Sequence, residues 1–396
     1  MWIPTLFSLV SILLALLTSP TLSSNLTESA QSPLPQHALQ FVDRRLAFVY
    51  PVIQRFKSSI TSDPLGITAS WVTSDVCSYR GFYCDNPPDN LSAVAVASID
   101  FNGFRLAAPS LEGFLDMLPD LALFHANSNE FGGMIPAGVA RLPYLYELDL
   151  SNNKLVGPFP AAVLGMFGLT FLDLRFNQFA GSVPAQIFAQ NLDALFLNDN
   201  IFDNPLPDNL WASQIRYLTL ADNEFTGVIT PGIIKALAGL SEVLFLNNRL
   251  AGCIPYELGL LTGAKVIDVG NNLLTGPLPL SLSCLANVEQ LNLAGNLLYG
   301  AVPEAVCWLG LGNLANLSLS DNYFIHVGPW CRAMVEKGVL DIRNNCVPDL
   351  QSQRPVGECA RFFGHATGLC PRMWSYSYVP CRHHHFMGTG ESAPSP

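Results

Sequence analysis

Charge is scarce in this chain, and positive charge is the scarcer kind. Asp, Glu, Lys and Arg together make up 13% of the 396 residues, with 20 basic side chains against 31 acidic ones and a formal charge of −11. A chain so short of cations cannot displace the counterions of a nucleic-acid backbone, so nucleic acid is excluded and neutral or cationic partners are favoured. A hydrophobic share of 49% equally excludes a mainly disordered chain. No phosphate loop, G-x-S-x-G or H-E-x-x-H run occurs, so nucleotide, serine-hydrolase and zinc-protease chemistry lack their residues. Paired acids could suggest a glycosidase, but its acid needs a raised pKa, and a repeat column explains the Asp residues more simply. His383 to His385 sit in a polar tail without further ligands. No enzyme activity, cofactor or metal is expected.

Long apolar runs are also missing. Ile3 to Leu17 comes nearest, at about fifteen residues where roughly twenty are needed to span a bilayer. Small residues follow from Thr18 to Ser24, so residues 1–23 read as a secretory signal, although no Lys or Arg precedes Ile3. No membrane span is expected. All ten cysteines lie beyond it: Cys77, Cys84, Cys253, Cys284, Cys307, Cys331, Cys346, Cys359, Cys370 and Cys381. With an exported chain and no C-x-x-C pair or Cys/His spacing of the zinc kind, disulfides are expected. The N-x-S/T sequons at Asn90 and Asn316 then become glycosylation sites, while Asn25 lies close to the processed terminus.

Against these absences stands a repeat. Asn recurs at 129, 153, 177, 200, 223, 248, 272, 296, 322 and 345, on average 24 residues apart. Each follows an apolar-x-apolar pair by three residues, as in Leu148-Asp149-Leu150-Ser151-Asn152-Asn153, and usually precedes a Gly by four and a Pro by seven. The pair predicts a short strand with both apolar side chains inward. Asn marks the turn, where its amide serves backbone groups left open by the bend. One coil cannot bury its own apolar side, so ten or more stack into a right-handed α/β solenoid with a parallel sheet on its concave wall. Asn204 in a Gly column, a Pro shifted to Pro231 and Phe104 in place of the first Asn are the departures. The run resembles the plant-type leucine-rich repeat, L-x-x-L-x-x-L-x-L-x-x-N-x-L-x-G-x-I-P, over residues 96–347, and implies its horseshoe.

Exposed end coils require caps. Leu39, Val42, Leu46, Val49, Ile53, Phe56 and Ile60 predict an amphipathic helix interrupted at Pro51, within a cap over residues 24–95 that a Cys77–Cys84 bridge would staple together with Trp71. Residues 348–381 read as a Cys-rich C-terminal cap and 382–396 as a disordered tail. Cys284 and Cys307 lie about one coil apart and are expected to pair, whereas Cys253 has no evident mate.

The run Ser62-Asp63-Pro64-Leu65-Gly66, Trp71 and Val76-Cys77-Ser78-Tyr79-Arg80-Gly81-Phe82-Tyr83-Cys84 resembles the N-terminal cap of plant leucine-rich repeat extensin proteins. Gly252-Cys253-Ile254-Pro255, Val306-Cys307, Pro329-Trp330-Cys331, Asn345-Cys346-Val347-Pro348 and Glu358-Cys359 resemble that family's later cysteine spacing. No run of Ser and Pro follows Cys381, so the resemblance is to the short branch without the extensin tail. It implies a secreted, wall-associated protein of the apoplast that binds a small, basic, cysteine-containing signalling peptide of the rapid alkalinization factor type, often as a homodimer. An inhibitor of microbial wall-degrading enzymes, like plant polygalacturonase inhibitors, is the alternative, and a structural wall protein holding polysaccharide is the third.

Four positions per coil are expected to face solvent on the concave wall. Of those forty, nine are acidic: Glu147, Asp149, Asp173, Asp199, Asp222, Glu242, Asp268, Asp321 and Asp341. Only Arg175 and Arg343 are basic. Phe171, Phe176, Phe196, Tyr217, Leu244 and Leu246 share the face, and aromatic residues rimmed by acids suit a docking patch for a cation-bearing partner. The expected partner-binding residues are Asp149, Phe171, Asp173, Phe176, Phe196, Tyr217, Asp222, Glu242, Leu244 and Asp268. A glycan on Asn316 would limit this area toward the C-terminal coils.

Overall fold

The computed structural model describes residues 39–207 and 215–364, together with 370, 377, 379 and 381. The signal reading, the Asn25 sequon and the tail 382–396 lie outside the described residues. The account below concerns the unit that begins at Gln40.

Stacking of the apolar pairs determines the architecture. All twenty side chains of the ten pairs, from Phe124 and Ala126 to Leu340 and Ile342, are buried. The strands that carry them join one twelve-stranded sheet. Phe82–Asp85 runs antiparallel to Ala95–Asp100, and each later strand is parallel to the one before it in a one-coil register. Leu148 thus lies opposite Leu172, and Leu172 opposite Leu195. Buried side chains alternate with outward ones along each strand, as a pleat of period two requires.

The recurring Asn binds coil to coil. Asn248 Nδ2 donates to Phe245 O and Leu246 O in its own coil, at 3.2 and 3.1 Å, and to Leu220 O of the preceding coil at 3.0 Å. Its Oδ1 accepts the Phe225 N–H at 2.9 Å. Asn153, Asn177, Asn272, Asn296, Asn322 and Asn345 repeat the arrangement. One carboxamide therefore satisfies carbonyls that the bend would otherwise bury unpaired. The residue before every ladder Asn is left-handed, with φ between 49° and 65°. Nine of these ten are Asn, Asp, Ser or Gly, while the tenth is Phe176.

The sequence reading assigned one strand to each coil, and the structure adds a second. Val156–Pro158, Gln178–Gly181 and Ile201–Phe202 form one small parallel sheet, and Ala251–Cys253, Leu273–Gly276, Leu297–Val302 and Tyr323–Val327 another. Between them, among the described residues, isolated bridges at Thr226 and Val228 persist. That gap falls where Asn204 replaces Gly and where the shifted Pro231 starts a helix, Pro231–Ala236, capped by Thr230 Oγ1 accepting from Ile233 N. Neighbouring coils use 3₁₀ turns after Pro160, Pro184, Pro255 and Pro279 instead.

The N-terminal cap helix spans Arg44–Ser59 with Asp43 as its N-cap. Leu46, Val49, Val52, Ile53 and Phe56 are its buried stripe. Two expectations need correction here. The helix passes through Pro51 without interruption, because Pro51 lies on its exposed side, and Leu39 and Val42 precede the helix in the open, Val42 being 85% exposed. Phe56 stacks on Phe114, and the fully buried Trp71 donates from Nε1 to Arg80 O at 3.0 Å while packing on Phe82 and Phe101.

Cys77 pairs with Cys84 as expected. The Cys284–Cys307 pairing is wrong: Cys284 bonds Cys381 and Cys307 bonds Cys331, with Cys253–Cys370 and Cys346–Cys359 completing the set. Cys331 lies 24 residues beyond Cys307, also one coil, so spacing alone favoured neither neighbour. At the far end Gln353 occupies the place of one more ladder residue. Its Nε2 donates to Ile342 O at 3.1 Å and its Oε1 accepts from Val347 N at 3.3 Å, the bonds a further Asn would make. The helix Val356–Gly364 follows, with Phe362 stacked 3.6 Å from Tyr323. The unit is an α/β solenoid of leucine-rich coils with disulfides in both end regions.

The ladder can be tested one amide at a time. Asn248→Ala leaves the Phe225 N–H buried without a partner and Leu220 O with only Asn223 Nδ2 at 3.4 Å, and about 1–3 kcal/mol of unfolding free energy should be lost in urea titration. A loss below about 0.5 kcal/mol would show that the ladder amide is dispensable.

Candidate functional site

The outward side chains of the parallel sheet form a continuous face in which register sets every neighbour. Glu147 lies opposite Phe171, Phe171 opposite Ala194 and Ala194 opposite Tyr217. Two residues further along each strand run His125, Asp149, Asp173 and Phe196, and later Thr219, Leu244 and Asp268. Phe171, Phe196 and Leu244 are half-buried on this face, and Tyr217 is 62% exposed. None of the four is in the packed interior. Asp149, Asp222 and Asp268 are half-buried at its floor and Glu242 is exposed.

Asp173 departs from expectation, for it is fully buried. Arg175, two residues on, lies over it with Nη2 2.9 Å from Oδ2, and the same guanidinium sits 4.8 Å from the centre of the Phe196 ring. Phe171 meets Phe196 edge-on at 5.8 Å. Burial, followed by the charge of Asp149, pushes the Asp173 carboxyl up to about 6, with Arg175 working against both. This acid is therefore no open contact for a partner.

Fewer of the column acids are open than the four columns indicated, and the pairs that flank them are neutral. Arg216 pairs with Asp193 at 2.8 Å and Lys265 with Glu289 at 3.3 Å, just beside those columns. Arg343 pairs with Asp341 at 2.7 Å. His125 Nε2 lies 2.9 Å from Glu147 Oε2, a contact the sequence reading missed although His125 shares a column with Asp149. Asp149 and Asp268 are engaged locally, accepting from Ser151 N and Oγ and from Gly270 N and Asn292 Nδ2. No cation among the described residues pairs with Asp199, Asp222 or Glu242. Burial first, and the Asp222 charge next among the raising influences, lift the Asp199 carboxyl, so these two carboxylates sense one another. Asp222 accepts from Asn247 Nδ2 at 2.6 Å. Phe176, 49% exposed, precedes Asp199 and Asp222 in the same row, and Tyr217 precedes Glu242 in another.

Two concavities lie further along. A cavity of about 120 Å³ is bounded by Val266, Asp268, Gln290, Asn292, Asn316 and Ser318. A cavity of about 510 Å³ lies between Asn316, Asp341, Arg343 and the segment Leu350 to Ser352. Asn316 is exposed on the sheet face at the rim of both, as the register expected, and Asn90 is exposed in a turn of the N-terminal region. Among the described residues no three His, Cys, Asp or Glu side chains converge as metal ligands, and no cysteine is free. The arrangement presents an elongated surface of acidic and aromatic side chains that runs across several coils.

Residues 52–85 match the leucine rich repeat N-terminal domain family and residues 144–166 the leucine rich repeat family. The chain is similar to plant leucine-rich repeat extensin-like proteins. It is 46% identical to leucine-rich repeat extensin-like protein 2 of Arabidopsis thaliana over 59% of this chain and 29% of that protein. It is 47% identical to leucine-rich repeat extensin-like protein 6 of the same plant over 57% of this chain and 48% of that protein. The chain thus spans less than half the length of these relatives. Among solved structures, the plant peptide hormone receptor RGFR1 in complex with RGF2 superposes with a TM-score of 0.57 at 25% identity, over 63% of this chain and 40% of that one. A TDR receptor does so with a TM-score of 0.53 at 29% identity, over 60% and 41%.

Phe176 holds a bulky side chain in a left-handed backbone, φ 54°, where its counterparts are small or polar. Phe176→Asn should therefore raise stability by about 1 kcal/mol in urea titration. A loss of that size instead would show that packing, and not the demands of the surface, holds the ring in place.

Proposed function

We propose that the chain is a secreted, non-enzymatic scaffold of the plant cell-wall space that captures a small, basic, cysteine-containing signalling peptide of the rapid alkalinization factor type on the sheet face. The observation that carries the reading is that three acids with no cation partner among the described residues, Asp199, Asp222 and Glu242, share rows with the exposed rings of Phe176 and Tyr217. Acids of one sign attract a basic partner from a distance, and exposed aromatic rings supply contact area and a cation-π partner once it docks. Five disulfides suit an oxidising compartment, and no helix among the described residues is long and apolar enough to cross a membrane. Similarity to extensin-like proteins supports the wall location, and that to a receptor solved with its peptide hormone supports the class of ligand. On this reading Asn90 and Asn316 carry N-glycans, and the Asn316 glycan confines docking to the coils before it.

The purified protein titrated calorimetrically with a basic cysteine-bridged peptide should bind, and more weakly as salt rises. Asp222→Asn should cost about fivefold in Kd, and Tyr217→Ala at least as much, with melting temperatures preserved because Asn, like Asp, tolerates the left-handed backbone at 222, φ 52°. Absence of binding in both low and high salt, together with inhibition of a polygalacturonase, would replace this reading with that of an enzyme inhibitor.

A further inference from the structure

Asp173 and Arg175 form a two-residue device at the centre of the sheet face. Asp173 is fully buried in the strand Phe171–Asp173, and its Oδ1 accepts the Arg175 N–H at 3.1 Å. Oδ2 has no aligned hydrogen-bond donor among the described residues, although Arg175 Nη2 stands 2.9 Å from it. That close approach without alignment makes Arg175 an electrostatic lid more than a hydrogen-bonded partner. The guanidinium reaches from Asp173 to Phe196, whose ring meets that of Phe171, so one cation holds an acid down and organises two aromatic side chains.

The charges around Asp173 are few. On the preceding strand stand Glu147 and Asp149, with Glu147 paired to His125 one coil earlier. The following strand, Ala194–Phe196, brings no charge, and beyond it Asp199 lies in the field of Arg175. Asp149 opposes ionisation of Asp173, and Arg175 alone favours it.

We propose that Asp173 and Arg175 are a proton-operated latch: ionised Asp173 pins the guanidinium over Phe196, and neutral Asp173 releases it to solvent, so that mild acid adds one positive charge to the docking face and weakens its hold on a basic partner. The latch itself stands on the geometry of the unliganded protein, and its effect on docking rests on the function proposed above. With the carboxyl raised to about 6 in the fold, the stability that protonated Asp173 contributes is complete below its ordinary value of 3.8 and is lost as pH climbs through about 6.

Thermal unfolding of the full chain without ligand, from pH 4 to 7.5, tests the latch. Asp173→Asn and the unaltered protein should melt together at pH 4. The variant should then gain a few degrees over the unaltered protein as pH rises through 6, and keep them. Arg175→Gln should move the loss to higher pH, and Asp149→Asn to lower pH. Melting curves of Asp173→Asn that parallel the unaltered protein at every pH overturn the proposal, as does a carbon-13 titration placing the Asp173 carboxyl below 4.5. Binding of a basic cysteine-bridged peptide is the second arm. The affinity of the unaltered protein should fall about fivefold more between pH 7 and 5 than that of Asp173→Asn, the effect of one exposed unit charge at contact. Identical pH profiles overturn the coupling to docking. Melting behaviour as described with no peptide bound at any pH retains the latch and removes the peptide-binding reading.

Discussion

A buried carboxamide that must satisfy three carbonyls and one N–H is the constraint from which the rest of the molecule follows. Every coil turns sharply after its strand, and the turn strips backbone groups of partners in a region where water is excluded. Asn meets the need because it carries two donors and two acceptor sites on one short planar group. Each ladder Asn reaches one coil back, so the bonds that close a turn also set the spacing of strands. The sheet face inherits its geometry from this: side chains in one column stay in line because the amides beneath them do.

The period of the repeat made much of this visible in advance. Inward and outward positions were legible because apolar pairs alternate with polar residues, and Phe196, Tyr217 and Leu244 lie on the face accordingly. Cys77–Cys84 was legible because only seven residues separate the two within one cap. The second strands were not, since Leu-x-Gly carries no alternation. Cys284 found its mate ninety-seven residues away in a segment without repeat spacing, while Cys307 had candidate partners at one coil on either side. Pro51 was misread because it falls on the exposed side of the helix, where solvent can serve the carbonyl that its missing N–H leaves free.

Burial of Asp173 was hidden for a subtler reason. Column membership places a side chain on the outward face but does not say whether its neighbour will cover it, and Arg175 does. The same short reach explains why counting acids by column overstated the open negative field: Arg175 covers Asp173 and Arg343 pairs with Asp341. Asp199 and Asp222 follow the exposed Phe176 along one row, and Glu242 lies beside the exposed Tyr217 in another. Acids and rings grouped in two rows would offer a partner fewer equivalent docking positions than a uniformly negative wall.

Gln353 gives the array a separate stop piece. Its amide reproduces the bonds of a further ladder residue although it belongs to no coil, so closure at the C-terminal end does not depend on how many coils precede it. Length and termination are thereby independent on the N-terminal side of Cys253: whole 24-residue modules can be gained or lost there, lengthening or shortening the sheet face, while the Cys253–Cys370 and Cys284–Cys381 bridges fix the number of coils between them and the terminal plug.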